Sequence, residues 1–556
     1  MSTRGKDGPV SFETALLNGL ARDGGLYLPV SWPKFSLDDI RAMQSKSYAE
    51  LAGLIMSRFT DGDIDLDEMT DLAHQTYENF THPDVAPLKS VADNIHVLEL
   101  FYGPTVAFKD YAMQFLSRAF DRALTRQNRT AVILGATSGD TGSAALEAFK
   151  GRKAVDVFIL FPDGRVSPVQ QKQMTSISAD GAHAVAVAGD FDDCQDMVKA
   201  CFNDAAFRDE MNLSAVNSIN WARLMPQIVY YFSSALKVGA PDRPVAFCVP
   251  TGNFGNVFAG WVAAQMGLPV ERFIVASNRN DILTRFFATG TMERRSVDPS
   301  LSPSMDIQVS SNFERLLFEL LDRDGPRVAD MMHQFTKTGS FAVAEEVLQN
   351  ALSTFSGFCL DDEGTKAEIK TTYEQTGMII DPHSAVGLAG ARNARAMGLV
   401  GQDTPIISLA CAHPAKFPDA VRSACGVHPE LPAHLADLMD RETPRRFRKV
   451  TNQEPKTKKT STAGPSAGFD IRSFEENGSD RFIEAKTTKY GKYAPFFLTP
   501  NELEFSRDNA ANYHLYRLFQ FGKSPRLFTL SGYVEERCQL IPSEYIARVT
   551  TSVSPA

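Results

Sequence analysis

Four runs of this chain are apolar at nearly every position rather than at alternate ones: Val155-Asp-Val-Phe-Ile-Leu-Phe161, residues 182–188, Phe273-Ile-Val-Ala276 and Pro405-Ile-Ile-Ser-Leu-Ala410. A strand wetted on one side alternates, whereas one that is apolar on both faces must be covered on both. Helical periodicity fills the intervals, as in residues 225–238, so the stretch from about 95 to 415 predicts an α/β architecture of parallel sheet under helices. Residues 1–93 have a Pro-rich start and a mainly helical pattern, and are expected to form an N-terminal subdomain. A chain of 556 residues exceeds one ordinary core, which calls for two or three domains.

Within that frame one lysine is conspicuous. The apolar run 95–100 enters Tyr102-Gly103-Pro104-Thr105-Val106-Ala107-Phe108-Lys109-Asp110, and a helical pattern follows from residue 112 to 120. An amine held against an apolar wall has its charged form disfavoured, so Lys109 is a candidate for a Schiff base with a carbonyl compound. The same position also suits a solvated surface charge, and further motifs are needed to choose.

Two Gly-containing loops supply them. Residues 131–136 read as a buried strand running into Thr137-Ser138-Gly139-Asp140-Thr141-Gly142 and a helix near Ser143. Residues 245–249 run into Pro250-Thr251-Gly252-Asn253-Phe254-Gly255-Asn256 and a helix over 257–266. Unpaired N–H groups and the positive dipole end make such helix starts anion sites, and glycine allows close approach of the backbone. A single such loop is as easily a tight connection. Two of them beside an activated lysine point to two anions and one carbonyl cofactor.

These segments resemble threonine synthase, a fold type II pyridoxal-phosphate enzyme. The shared pieces run in order: Ser2-Thr-Arg-Gly5, Ala21-Arg-Asp-Gly-Gly25, Gly103-Pro-Thr105, Phe108-Lys-Asp110, residues 137–142, Gln173-Met-Thr175, Asn217-Ser-Ile-Asn220, Gly252-Asn-Phe-Gly-Asn256, Ser302-Pro-Ser-Met-Asp306, Ser311-Asn-Phe-Glu-Arg315, Asp381-Pro-His383 and Ala412-His-Pro-Ala-Lys416-Phe417. The resemblance covers residues 1 to about 440, and 94–440 would be the catalytic domain. It implies conversion of O-phosphohomoserine and water to threonine and phosphate, with Lys109 carrying pyridoxal 5'-phosphate beside Phe108. Gly252, Asn253, Phe254, Gly255 and Asn256 would cradle the cofactor phosphate. Thr137, Ser138, Asp140, Thr141, Asn217, Arg223 and Lys416 would line the substrate pocket, Arg223 having a structural ion pair as its other reading. His383 reads as structural and His413 is open between roles. Where the family shows a threonine facing the cofactor ring nitrogen, this chain has Cys411. Another fold type II lyase, such as a threonine or serine dehydratase, is the alternative enzyme.

After Asp440 the character changes. Arg445-Arg-Phe-Arg-Lys449 and Lys456-Thr-Lys-Lys459 lead into a Ser/Thr/Ala/Gly/Pro stretch, and 441–467 reads as a linker. Residues 468–556 then resemble the DUF3883 family, which looks like a small α+β nuclease fold of the PD-(D/E)xK type. Asp470, Glu484 and Lys486 would form its site, with Glu484 and Lys486 two apart on one strand face and Glu502 a further possible carboxylate. A salt-bridged hairpin surface is the other reading, and a vestigial site is expected. Nucleic acid is a partner only through this tail, because the net charge of −10 argues against binding it wholesale. No apolar run reaches the ~20 residues of a membrane span. Seven scattered cysteines without C-x-x-C fit a reducing, cytoplasmic setting for a monomer or homodimer.

Overall fold

The computed structural model describes residues 1–177, 179–216, 218–443, 448–451, 471–474, 479–487, 496, 498–519, 526–536 and 538. Two compact units make up the chain, Met1–Val450 and Thr451–Ala556.

The first unit is built on two largely parallel sheets. In the larger, the strand order is Leu88–Ala92, Ile95–Glu99, Ile406–Ala410, Val245–Pro250, Val270–Ser277 and Phe355–Cys359. Only the first pair is antiparallel. Every residue of Val245–Pro250 and Ile406–Ala410 is buried, as continuous apolar runs require. The smaller sheet runs Arg448–Thr451, Ala182–Ala188, Val155–Pro162, Ala131–Ala136 and Leu213–Ser214.

Helices cover these sheets because their apolar faces have nowhere else to go. Trp221–Lys237 buries Leu224, Met225, Ile228, Tyr231 and Phe232, and Lys109–Arg126 buries Tyr111, Phe115, Leu116 and Phe120. The N-terminal helices share that core: Ile40, Ile55 and Met69 belong to one apolar cluster with Tyr111, Phe120 and Trp221. Residues 1–93 are therefore part of the larger body, and the expected boundary at 93 falls inside the hairpin of Leu88–Ala92 and Ile95–Glu99. The expected boundary at 440 also moves, since the compact unit continues to Val450 and Arg448–Thr451 is a strand of the smaller sheet. The rest of the expected linker, 452–467, lies outside the described residues.

The second unit contains a four-stranded mixed sheet, ordered Ile471–Phe474, Asp480–Thr487, Tyr513–Phe519 and Arg526–Ser531. Its two central strands are parallel, and the helix Pro500–Asp508 lies between them in sequence. Phe482, Tyr513, Leu515 and Val534 form a small core of its own. Among the described residues no helix is long and apolar enough to cross a membrane.

Packing between helix and sheet is tightest at Gly260, on the helix Gly255–Gln265. A Cβ there would lie 2.6 Å from ring carbons of both Phe273 and Tyr231. Gly260→Ala is expected to destabilise the first unit by about 1–3 kcal/mol through overpacking. Urea unfolding of the variant beside the parent checks this, and equal midpoints would refute it.

Candidate active site

Three adjacent parallel strands of the larger sheet release their chains at one edge. Ala410 pairs with Glu99 and Ser408 with Cys248, so the turns after Glu99, Pro250 and Ala410 emerge together, where open α/β sheets gather ligands. The first and third turns are zipped by backbone bonds, Phe108 N–H to Cys411 O at 2.8 Å and His413 N–H to Val106 O at 3.0 Å. Val106 is held at φ +56°, a left-handed conformation that costs a β-branched residue about 1–2 kcal/mol. The two bonds that bracket it keep it there, and so fix the first residue of the next helix, Lys109.

Lys109 lies only 12% exposed, with Nζ 4.9 Å from the centre of the Phe108 ring and 3.3 Å from Asp140 Oδ2. Asp140 opens the helix Asp140–Phe149 after the strand Ala131–Ala136 of the smaller sheet, so this contact joins the two sheets. Its other oxygen, Oδ1, receives Lys416 Nζ at 2.8 Å and Gln170 Nε2 at 2.8 Å, while Ser304 Oγ lies 3.3 Å from Oδ2. Burial alone would raise the pKa of this carboxyl, but Lys416 and Lys109 outweigh it and hold it well below the usual range. Lys416 is fully buried and also donates to Thr105 O at 3.0 Å.

Asp110 backs the same turn. Its carboxylate receives the Thr105 N–H at 2.9 Å and the Thr105 hydroxyl at 2.7 Å, and Gly103 is required because a Cβ there would lie 2.4 Å from that of Asp110. Burial pushes the Asp110 pKa up to about 6 against the pull of Thr105 and Lys416.

Around residues 137–142 the expected roles divide. Thr137 Oγ1 accepts from Gly139 N at 3.0 Å and Gly142 N at 2.8 Å, which shapes the turn. Ser138 is exposed and Thr141 half-buried. The two oxygens of Asp140 are met by two lysines, a glutamine and a serine, which makes it a counter-ion for the lysines. Asn217 lies outside the described residues.

The loop 251–256 begins the helix Gly255–Gln265 with Phe254 at φ +62°. Thr251 Oγ1 accepts from Phe254 N at 3.2 Å, and Asn253 Oδ1 from Ser311 N at 2.7 Å. Asn253 also donates to Ser218 Oγ, and Gly252 O accepts from Ser310 Oγ at 2.7 Å. A Cβ at Gly252 would sit 3.0 Å from Ile307, and one at Gly255 3.2 Å from Asn312 Nδ2. Asn256 Oδ1 accepts from Tyr230 OH at 2.7 Å and Tyr231 OH at 2.8 Å, while its buried Nδ2 has no partner among the described residues. An anchored glycine loop with helix N–H groups and an unused buried donor fits a phosphate.

Arg223 is buried, donates to Val216 O at 2.9 Å, and has Nε without a partner. Burial draws its pKa down to about 10, and among the described residues no carboxylate pairs with it.

Both histidines make hydrogen bonds within the fold. His383 Nδ1 lies 2.6 Å from Asp381 Oδ2, and Nε2 accepts from Ser304 N at 3.2 Å. His413 Nδ1 accepts from Ala415 N at 3.2 Å as a cap of the turn Pro414–Lys416, and burial pushes its pKa down to about 4. Cys411 is buried, and burial raises its thiol pKa well above the ordinary value.

Sequence reasoning gave no role to Gln170, Gln173, Ser304 and Thr105. Three of these sit inside the quoted motifs but do not titrate, and Gln170 shows only as the partner of the Ser167 capping box. Gln173 Nε2 donates to Thr105 O at 3.0 Å.

In the second unit, Lys486 Nζ lies 3.1 Å from Glu502 Oε2, so the expected additional carboxylate does stand beside that lysine. Glu502 also closes the capping box of Pro500–Asp508. Glu484 occupies the same strand as Lys486, Asp470 lies outside the described residues, and among the described residues no cluster of acidic, His or Cys side chains is grouped to hold a metal.

Replacing Asp140 by Asn would leave Lys416 buried without its ion-pair partner, at a cost of about 3–5 kcal/mol. Because the Asp140 pKa is lowered on folding, its contribution is present above the ordinary carboxylate pKa and disappears as pH falls through the depressed value. Urea unfolding at neutral and acid pH should therefore show the gap between parent and Asp140→Asn shrinking toward low pH. A gap independent of pH would refute the assignment.

The comparisons with known proteins agree with this geometry. Family models for the threonine synthase N terminus, pyridoxal-phosphate dependent enzymes and the threonine synthase C-terminal part match residues 1–77, 85–332 and 384–460. The model for the C-terminal part of Protein NO VEIN matches 439–530. Threonine synthase of Pseudomonas aeruginosa is 49% identical over 443 residues, covering 80% of this chain and 94% of the relative. That of Schizosaccharomyces pombe is 43% identical, covering 80% and 93%. The crystal structure of pyridoxal-phosphate-bound threonine synthase from Brucella melitensis superposes with a TM-score of 0.79 at 51% identity over 82% of this chain and 96% of that one. The yeast threonine synthase structure gives 0.77 at 38% identity, over 81% and 95%. The chain belongs to the threonine synthase family of pyridoxal-phosphate enzymes.

Proposed function

We propose that this chain converts O-phospho-L-homoserine and water to L-threonine and inorganic phosphate with pyridoxal 5'-phosphate as cofactor. The observation that carries the proposal is the lysine Lys109, held by Asp140 at the meeting of two sheets, in a site that also contains an anchored glycine loop. Arg223, a buried guanidinium with no paired carboxylate among the described residues, adds a place for the second phosphate. The dehydratase-like alternative offers no substrate phosphate to balance that charge.

Pyridoxal phosphate, when bound, supplies a carbonyl for amine attachment and a sink for the electrons released at substrate carbon. Lys109 would hold it through Nζ, and residues 252–256 would hold its phosphate with backbone N–H groups and the Asn256 amide. Cys411 would stand at its ring nitrogen. Lys109 Nζ, when free, would take the proton from substrate Cα and then serve Cβ. The Cγ–O bond breaks with its electron pair going to phosphate, and Arg223 receives that anion together with Ser138, Thr141 and Asn217. Water then adds its oxygen at Cβ, and Lys109 returns protons to carbon. Asp140 orients Lys109 throughout, and Lys416 holds Asp140.

For the second unit we propose a degenerate nuclease-like module, supported by the Glu484 and Lys486 spacing and by Glu502 beside Lys486. All seven cysteines are free thiols, which supports a cytoplasmic site of action.

Lys109→Ala is expected to abolish turnover and the visible absorption of lysine-bound cofactor while keeping the fold, because a pocket lysine adds little to the core. Phosphate release assays and absorbance spectra decide it, and substantial activity without added amine would refute the role. Truncation separates the two units: a chain ending at residue 460 should keep full threonine formation, whereas one ending at 440 loses the strand Arg448–Thr451 and should melt earlier. Loss of activity on ending at 460 would show that the synthase needs the second unit. Nicking of DNA by the full chain with Mg²⁺ or Mn²⁺, lost in Lys486→Ala, would overturn the degenerate reading.

A further inference from the structure

One cavity of the first unit lies apart from Lys109, which is not among its lining residues. It has a volume of about 920 Å³ and lies between the segment 14–22, the helix Lys109–Arg126 and the helices Phe191–Asn203 and Ala205–Met211 of the smaller sheet's side. That size matches small-molecule sites, which run to roughly 300–1,000 Å³. Its walls are apolar, from Leu17, Phe120, Leu124, Phe202 and Leu213.

Its charged lining has one sign. Arg22, Arg129, Lys199 and Arg208 line it, and no Asp or Glu does. Lys199 and Arg208 are paired with Asp196 and Asp209, whereas among the described residues Arg129 bonds the neutral amides of Gln127 and Asn212. Apolar walls under a cationic rim complement an amphipathic anion, and repel a cation or a polar zwitterion.

The cavity is also tied to the active site. Ile219 and Asn220 line it, and Asn220 Nδ2 donates to Leu16 O at 2.8 Å across one wall. The residue before Ile219, Ser218, takes the Asn253 amide of the glycine loop through its hydroxyl and the Asn312 amide through its carbonyl at 3.3 Å. An occupant would therefore bear on the segment that carries Asn217 and anchors Asn253.

We propose that this cavity is an effector site for a small organic anion, an aromatic or branched body bearing one carboxylate or phosphate. The occupant bridges the N-terminal segment to the helices of the smaller sheet and stiffens the 218–220 segment.

The test is calorimetric titration of the full-length holoenzyme with 1-naphthyl phosphate, 1-naphthoate and neutral 1-naphthol. Both anions should bind at least about tenfold more tightly than the alcohol, and an Arg129→Glu, Lys199→Glu double variant should lose about tenfold or more in affinity for them. Those rim residues are exposed and outside the catalytic machinery, so the variant keeps its basal turnover and its melting temperature. Arg223→Ala should bind the anions as the parent does. Equal affinity for the alcohol, indifference to the double variant, or loss of binding in Arg223→Ala would each overturn the proposal, the last by moving the ligand into the substrate pocket.

Discussion

The carboxylate of Asp140 is the point on which this architecture turns. It opens the helix that follows a strand of the smaller sheet, and both lysines it holds lie in connections that leave strands of the larger one. Taking three charged groups out of water costs several kcal/mol per ion, and only close pairing with full hydrogen bonding offsets that. The site meets the requirement: Gln170 and Ser304 occupy the remaining acceptor positions on Asp140, and Thr105 O takes a further proton of Lys416. The arrangement leaves more buried positive than negative charge around it once Arg223 is counted. Such a surplus is tolerable in a site whose occupants carry phosphates.

Because the pair spans two sheets, its geometry is also a statement about motion. Sheets joined through side chains can separate by lengthening a few bonds, while sheets joined through backbone ladders cannot. Lys109 can release Asp140 to take a carbonyl without disturbing either ladder, since Lys416 and Gln170 continue to hold the carboxylate on its other oxygen. The chemistry can thus borrow one of the bonds while the others maintain the closure.

The strands were legible because their apolar runs have no alternation to misread: residues 131–136 and 182–188 are strands with those limits. Lys109 and the loop 252–256 were legible for a different reason, that a reactive amine and paired glycines are scarce signals placed at strand ends. Domain limits were not. Residues 1–93 are helical in pattern but donate Ile40, Ile55 and Met69 to the common core, and periodicity says nothing about which body a helix joins. Basic, polar composition after Asp440 suggested a spacer, yet Arg448–Thr451 pairs with an existing sheet edge through backbone groups that every residue carries. The pairing of Asp140 with two lysines was not legible, because a sequence shows a carboxylate without showing how many of its lone pairs are already used.

Cys411 illustrates how a departure from a family pattern can be absorbed. The residue is positioned by its main chain: its N–H donates to Ser384 Oγ at 3.1 Å, and its carbonyl accepts the Phe108 N–H. Ser384 is fixed in turn by Asp381, whose carboxylate also caps the helix Pro382–Ala396 and holds His383. None of these bonds uses the Cys411 side chain. A thiol at that position weakens whatever hydrogen bond the side chain makes, since sulfur is a poor donor and acceptor, but it leaves the register of the 411–413 turn against 106–108 unchanged. The lysine that the turn presents is consequently insulated from the substitution, and any effect of the cysteine is confined to the group its thiol touches.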